Sequence, residues 1–514
     1  MSAQPPKSVP RERRAAGLAP PLGRRRLPAL TAAAALGALL LPGAALAHVA
    51  NIEYRFPLPV WLYGLAGAVV VLVSAPAAAL ALRREPWRGG TDLYPALRRF
   101  LPGAFLRALT IALLALVILG GFFASTLGVE NPAVLLVWVD LWVGLGIVSA
   151  LVANVWDFIS PLSNLGRSLD RWLAKRAVPQ RHYPEELGVW PAVVLLLAFS
   201  WAELVWSESR DPQTLAAVVV AYCLLQLAGM ARYGAEVWLG RAELFTVFAQ
   251  TFARLAPIEF SSHRGAEPCA AQRCPDQDER VGCASCFADA EPSRRRIRLR
   301  AFGAGIQREP PFRAGGAAFV VALLATVVYD GLRGTGQYAR LEANLVDLLP
   351  RLEEMRELRG TLLMIIVVAA FALVYVVAAA LASLAEAGRP LELAERYAPT
   401  LVPIAAVYFI AHYALYLFYV GQLTPRVVLD PGESGWIPDY RPWTGIPGSA
   451  VWTFQAGAIV AGHIVAVIAA HRVAKPFHPR ARNVLVAQLP LLALMVLYTF
   501  TGLWVLGQAL QGRG

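Results

Sequence analysis

Runs of about 20 apolar residues recur along the whole chain, and no other feature restricts its fold so strongly. A bilayer core of ~30 Å is crossed by a helix of about that length, at ~1.5 Å of rise per residue. Ten such runs occupy about 58–82, 104–126, 132–156, 189–207, 214–238, 314–333, 360–385, 397–421, 449–471 and 484–508. Only 16% of the 514 residues are charged and 57% are hydrophobic, against roughly 25% charged in an ordinary soluble domain. That balance argues against a soluble enzyme. The sequence predicts an all-α, polytopic membrane protein of about ten transmembrane helices.

Half of the net charge of +12 lies in the first 26 residues, which hold Lys7, Arg11, Arg13, Arg14, Arg24, Arg25 and Arg26 against Glu12. An Ala- and Leu-rich stretch from Leu27 follows and ends in Ala45-Leu46-Ala47. This is the three-part form of a secretory signal, with an uncleaved first helix as the alternative. Cleavage after Ala47 would expose the amine and imidazole of His48 together. The remaining net charge of +6 is spread among the loops, so no nucleic-acid partner is indicated. With the new N-terminus outside, the connections assigned to the cytoplasm (83–107, 158–188, 239–313, 387–396 and 472–482) carry 29 Lys and Arg, and the opposite ones carry 10. The bias follows the positive-inside rule. It places both termini on the extracytoplasmic side of the plasma membrane, with transmembrane helices 1–5 in residues 48–258 and helices 6–10 in 314–514.

Four connections are more than linkers. Residues 160–176 space Leu162, Leu165, Leu169 and Trp172 at helical intervals with Arg167, Arg171, Lys175 and Arg176 between them. A basic amphipathic helix of this kind lies along a membrane surface. Residues 336–358 are also amphipathic, a solvated outer helix or lid, and 423–448 form an outer loop with Trp436, Tyr440 and Trp443. In the largest inner connection, 259–313, Cys269, Cys274, Cys283 and Cys286 form two pairs within 18 residues. Four thiolates can close on one tetrahedral zinc ion and fold a polar segment that lacks an apolar core of its own; an iron–sulfur cluster or redox-active thiols are the alternatives. Cys223 reads as packing. The following SRRRIRLR, with Arg294, Arg295, Arg296, Arg298 and Arg300, suits anionic lipid headgroups.

Charged side chains within a bilayer cost roughly 2.5–3.5 kcal/mol at its centre and need a reason to be there. Asp140, Glu203, Asp330, His412, Gln455 and His463 all fall toward the outer half of their helices, below His48, while His471 ends its helix at the inner headgroups. Imidazoles and carboxylates ligate borderline and hard metals. His48, Asp330, His412 and His463 are the candidate ligands of a transition metal whose bound water would be a nucleophile, with Asp140 or Glu203 as base. Each acid has a plainer reading as a helix–helix hydrogen-bonding group. Tyr408, Tyr416 and Tyr419 share the face of His412. Haem could compete for His412 with one of His463 and His471, which at ~12 Å apart cannot bind one iron together. Proton relay is a third use. Walker, GxSxG, HExxH and Rossmann patterns are absent from the sequence.

The segments AHVANIEYRFPLPVWLY, NPAVLLVWVDLWVGL, LGVWPAVVLLLAFSWAELV, TVVYDG, LVPIAAVYFIAHY and GHIVAVIAAH resemble a family of bacterial multi-pass membrane proteins labelled fenitrothion hydrolase. The resemblance runs from about His48 to about Leu506 and implies a membrane-embedded hydrolase of organophosphate triesters. It carries no established catalytic residues with it. The sequence thus supports a metal-dependent hydrolase of small lipophilic esters, with a copper-type metal-handling protein and a haem-binding redox protein as alternatives.

Overall fold

The computed structural model describes residues 56–81, 92–97, 104–124, 128–263, 279–309, 311–385, 388–432, 434, 437, 442–477 and 481–510. The leader, its cleavage point, His48, Cys269, Cys274, Trp436 and Tyr440 lie outside them. The chain is a helical bundle. Each of the ten apolar runs becomes helix: α1 (Val60–Ala81), α2 (Ala104–Phe123), α3 (Pro132–Leu151), α4 (Pro161–Lys175) and α5 (Trp190–Leu204), then α6 (Pro212–Tyr233) and the short α7 (Leu244–Ala253). Strands β1 (Ile258–His263), β2 (Glu279–Val281) and β3 (Arg295–Leu299) follow, before α8 (Gly316–Arg333), α9 (Gly336–Leu348), α10 (Arg356–Ala382), α11 (Val402–Val420), α12 (Gly448–Ala474) and α13 (Ala481–Leu510). Among the described residues nine helices are long and apolar enough to cross a membrane. The amphipathic α4 and α9 are additional to the crossings.

Several helix starts are written locally. Asn131-Pro132, Ser160-Pro161 and Asp211-Pro212 each put a capping side chain before a proline that has no N–H to satisfy. The Asp211 carboxylate accepts from the Thr214 backbone N–H at 2.8 Å, and its bonds to Thr214 hold it below the usual carboxylate range. α8 is buried nearly all round and forms the bundle's centre, against α5, α10 and α11. α1 runs along α13, where Gly64 and Gly67 admit Phe500 and Leu503; a Cβ at Gly67 would come within 2.6 Å of Leu503 Cδ1. Small residues permit this close backbone approach in membrane helices.

The five connections assigned to one side do gather on one face. Tyr94, Phe158, Phe287 and Ile297, from three of them, form a small core. Glu395 accepts from the backbone N–H groups of Gly315 and Ala317, and Arg396 stacks on Phe477 at 4.1 Å, which adds the other two. The sheet on this face is antiparallel in the order β2-β1-β3. Two corrections follow. The segment expected to lack an apolar core has one, and it is built largely from neighbouring connections. Within the same stretch, α7 (LFTVFAQTFA) is wholly apolar or uncharged and buried in the bundle rather than looped out, with Phe248 stacked on Trp142 at 4.7 Å. Ten residues are too few to span a membrane, so its apolar run does not read as a span in the sequence.

Beneath the sheet lies a buried ion network. The Arg300 Nη1 donates to Glu259 at 3.2 Å and Nη2 to Glu309 at 3.0 Å, while Nε and Nη2 also donate to the carbonyls of Ala256 and Ala253. Arg308 closes a bidentate pair on Glu259 at 2.8 and 3.0 Å. The network ties the C-terminal end of α7 to β1 and β3.

Candidate functional site

At the opposite end of the bundle, α5, α8 and α11 bring polar groups together. Asp330, one turn from the end of α8, accepts from His412 Nε2 of α11 at 2.8 Å; their side chains are 16% and 18% exposed. A carboxylate only accepts, so Nε2 carries the proton and Nδ1 the lone pair. No protein partner for Nδ1 lies among the described residues. The Tyr413 hydroxyl lies beside Asp330, and its ring meets His412 edge-on with centroids 4.6 Å apart. Tyr408, one turn before His412, lies parallel to it with centroids 6.3 Å apart. Its buried hydroxyl has no hydrogen-bond partner among the described residues. Gly331 makes this packing feasible: a Cβ there would stand 3.0 Å from Tyr408 Oη and 2.8 Å from Val505 Cγ1.

Glu203, near the end of α5, is close enough to Asp330 for the two carboxylates to repel, and Arg210 and Arg333 offset that charge. Tyr416 also feels Arg210, Glu203 and Asp330. The cluster therefore holds two acids, an imidazole, two guanidiniums and phenols at one end of the bundle.

The other expected residues do not join it. Asp140 lies in a π-helical stretch of α3, Leu136–Gly144, and accepts from Thr424 Oγ1 at 2.8 Å, which is the helix-to-helix role. His463 is buried in α12, with Nδ1 donating to the Ile459 carbonyl at 2.8 Å and Nε2 without a hydrogen-bond partner. Gln455 donates to the Ala411 carbonyl at 2.9 Å. His471, expected to face headgroups, is instead buried beside Gln488 of α13. Cys283 and Cys286 are buried at the start of the helix Ala284–Asp289, with Arg280 Nη1 3.6 Å from Cys286 Sγ. The two thiols expected with them lie outside the described residues, as does His48.

Among the described residues no group of three His, Cys, Asp or Glu side chains suited to an ion occurs, so Asp330, His412 and His463 do not form the expected metal centre by themselves; the fourth expected ligand, His48, lies outside those residues. No protein-family model, curated protein or solved structure matches this chain. Tyr413 and Arg210 are the functional candidates that sequence reasoning missed. Tyr413 adjoins His412 in the sequence, but the neighbour it reaches, Asp330, is 83 residues away; no spacing rule reports that.

Proposed function

We propose that the chain is an integral membrane hydrolase of lipophilic esters, of which aryl phosphotriesters are the model class, acting through the His412–Asp330 pair. One observation carries this reading: a half-buried imidazole is oriented through Nε2 by a carboxylate, and Nδ1 is left with its lone pair. His412 Nδ1 takes a proton from water, the resulting hydroxide attacks phosphorus, and the aryloxide leaves. Asp330 fixes the tautomer and stabilises the imidazolium that forms. The unspent Tyr408 hydroxyl supplies a donor for the phosphoryl oxygen. A positioned general base contributes roughly 10²–10⁴ in rate. The resemblance to the membrane proteins labelled fenitrothion hydrolase supports the substrate class, and a site among crossing helices suits a substrate that partitions into lipid.

The test is release of aryloxide from a lipophilic aryl phosphotriester by the protein in lipid discs. Wild type should turn over, His412→Ala should lose roughly 10²–10⁴ of the rate, and Asp330→Asn should lose less. Absence of turnover in wild type, or equal rates in all three, overturns the reading. The proximity of Glu203 to Asp330 favours one rival, a proton relay, which pH-jump flux in liposomes would reveal.

A further inference from the structure

The face that carries the sheet has unspent charge of a different kind. The arginine run expected to meet lipid headgroups is largely consumed inside the fold: Arg296 pairs with Asp92 at 3.4 Å, Arg298 with Glu279 at 2.5 Å, and Arg300 with Glu259 and Glu309. Elsewhere on this face α4 lies across α2 and α6, and an open groove of about 1240 Å³ is lined by α2, by α4 with the 180–182 segment, and by the end of α6 with the start of the short helix Ala235–Ala242. Arg107, Arg167, Arg171 and Arg181 line it. A recess of about 290 Å³ adjoins it and shares Arg107 and Arg167.

These guanidiniums are not neutralised as those under the sheet are. Arg107 has a buried Nε with no hydrogen-bond partner among the described residues. Among the described residues, Arg167 donates to the neutral Ser163 Oγ and Asn164 Oδ1 alone, and Arg171 to the Arg167 carbonyl and Ser168 Oγ alone. Of the two acids in the groove, Asp170 already accepts from Gln180 Nε2 at 2.7 Å and from the Ala235 N–H at 3.0 Å. Glu236, and Asp289 of the adjoining recess, offset part of the charge on Arg167, while Arg107 and Arg171 repel it. Like charges held this close, one with a donor buried and unspent, call for an anion bearing several acceptor oxygens.

The rim says which kind of anion. Ile111 of α2 and Leu165 of α4 line the groove and are well exposed. Along the same stretch of α2, Phe105 and Leu109 point outward at 77% and 41% exposure. On α4, the exposed Trp172 carries Arg176 over its ring at 3.9 Å, the amphipathic arrangement found at headgroup level. Apolar surface for acyl chains is thus continuous with guanidiniums for a phosphate. We propose that this groove is a binding site for an anionic phospholipid, with the headgroup phosphate held by Arg107, Arg167 and Arg171 and the chains lying along α2.

The probe is fluorescent phosphatidylglycerol, titrated onto the full-length, detergent-purified protein with phosphatidylcholine as the neutral control. Arg107→Gln and Arg167→Gln should each weaken binding about fivefold, the effect of ~1 kcal/mol per cation beside an anionic lipid. The exposed Arg171→Gln should weaken it without disturbing the fold, and Arg107→Lys should retain most of it. The double variant Arg296→Gln/Arg298→Gln should bind as wild type does. Unchanged binding in the Arg107, Arg167 and Arg171 variants overturns the site. So does displacement by inorganic phosphate as effective as displacement by unlabelled phosphatidylglycerol, which would assign the groove to a soluble anion. Equal affinity for phosphatidylcholine would also overturn it.

Discussion

The two ends of this bundle each hold a cluster of charged side chains, and the clusters differ in what they leave over. Under the sheet, Arg300 distributes its donors over two carboxylates and two backbone carbonyls, and Glu259 is enclosed by two arginines. At the other end, His412 and Asp330 satisfy each other once, the Tyr408 hydroxyl is buried without a partner, and Glu203 adds a second acid. A closed network holds the fold together. An open one retains valences for a substrate or a proton, and its cost must be met by the packing around it.

That comparison can be broken in four places. Glu259→Ala should have the largest effect on stability, because it removes the carboxylate that Arg300 and Arg308 share and leaves the buried Arg300 with Glu309 as its remaining carboxylate; a loss of about 3–5 kcal/mol is expected in denaturant unfolding of the detergent-solubilised protein. A loss below ~1 kcal/mol would mean that the network is not what holds the sheet to the bundle. His412→Ala should show the opposite profile, with turnover falling by roughly 10²–10⁴ and the unfolding midpoint moving far less than in the Glu259 variant. A collapse of the fold in that variant would make the pair structural. Gly331→Ala drives a methyl group toward Val505 and Tyr408, and overpacking of this sort costs about 1–3 kcal/mol. It should also displace Tyr408 and so lower turnover, whereas Glu259→Ala, measured below its unfolding midpoint, should not. The smallest effect is expected for Thr424→Val, which removes one hydrogen bond to Asp140 and about 1 kcal/mol of stability with no change in turnover. A loss of turnover there would return Asp140 to the site.

The sequence made the helices legible and their chemistry only in part. Ten apolar runs map onto ten helices because a span must satisfy its own backbone, and this makes the signal local and strong. Charge bias likewise grouped the connections, and Tyr94, Phe158 and Phe287 do meet on one face. What escaped was every feature that depends on which helix neighbours which. Asp330 and His412 share a site because α8 packs on α11, while the Nδ1 of His463 is held by the Ile459 carbonyl of its own helix. Both histidines look alike in the sequence, each an imidazole in an apolar run. The sheet was missed because its strands alternate weakly and borrow their core from Tyr94 and Phe158, more than a hundred residues away from β3. The arginine run was legible as charge, but its partners Asp92, Glu259, Glu279 and Glu309 are scattered along the chain.

The most direct measurement is the reactivity of the two histidines toward diethyl pyrocarbonate in the protein held in lipid discs, mapped by peptide mass. His412 keeps an unspent ring nitrogen at one end of the bundle, so the account predicts that it is acylated with loss of turnover, while the enclosed His463 is left unmodified. If His412 is as protected as His463, or if both react alike, the cluster is closed and the contrast on which this account rests is wrong.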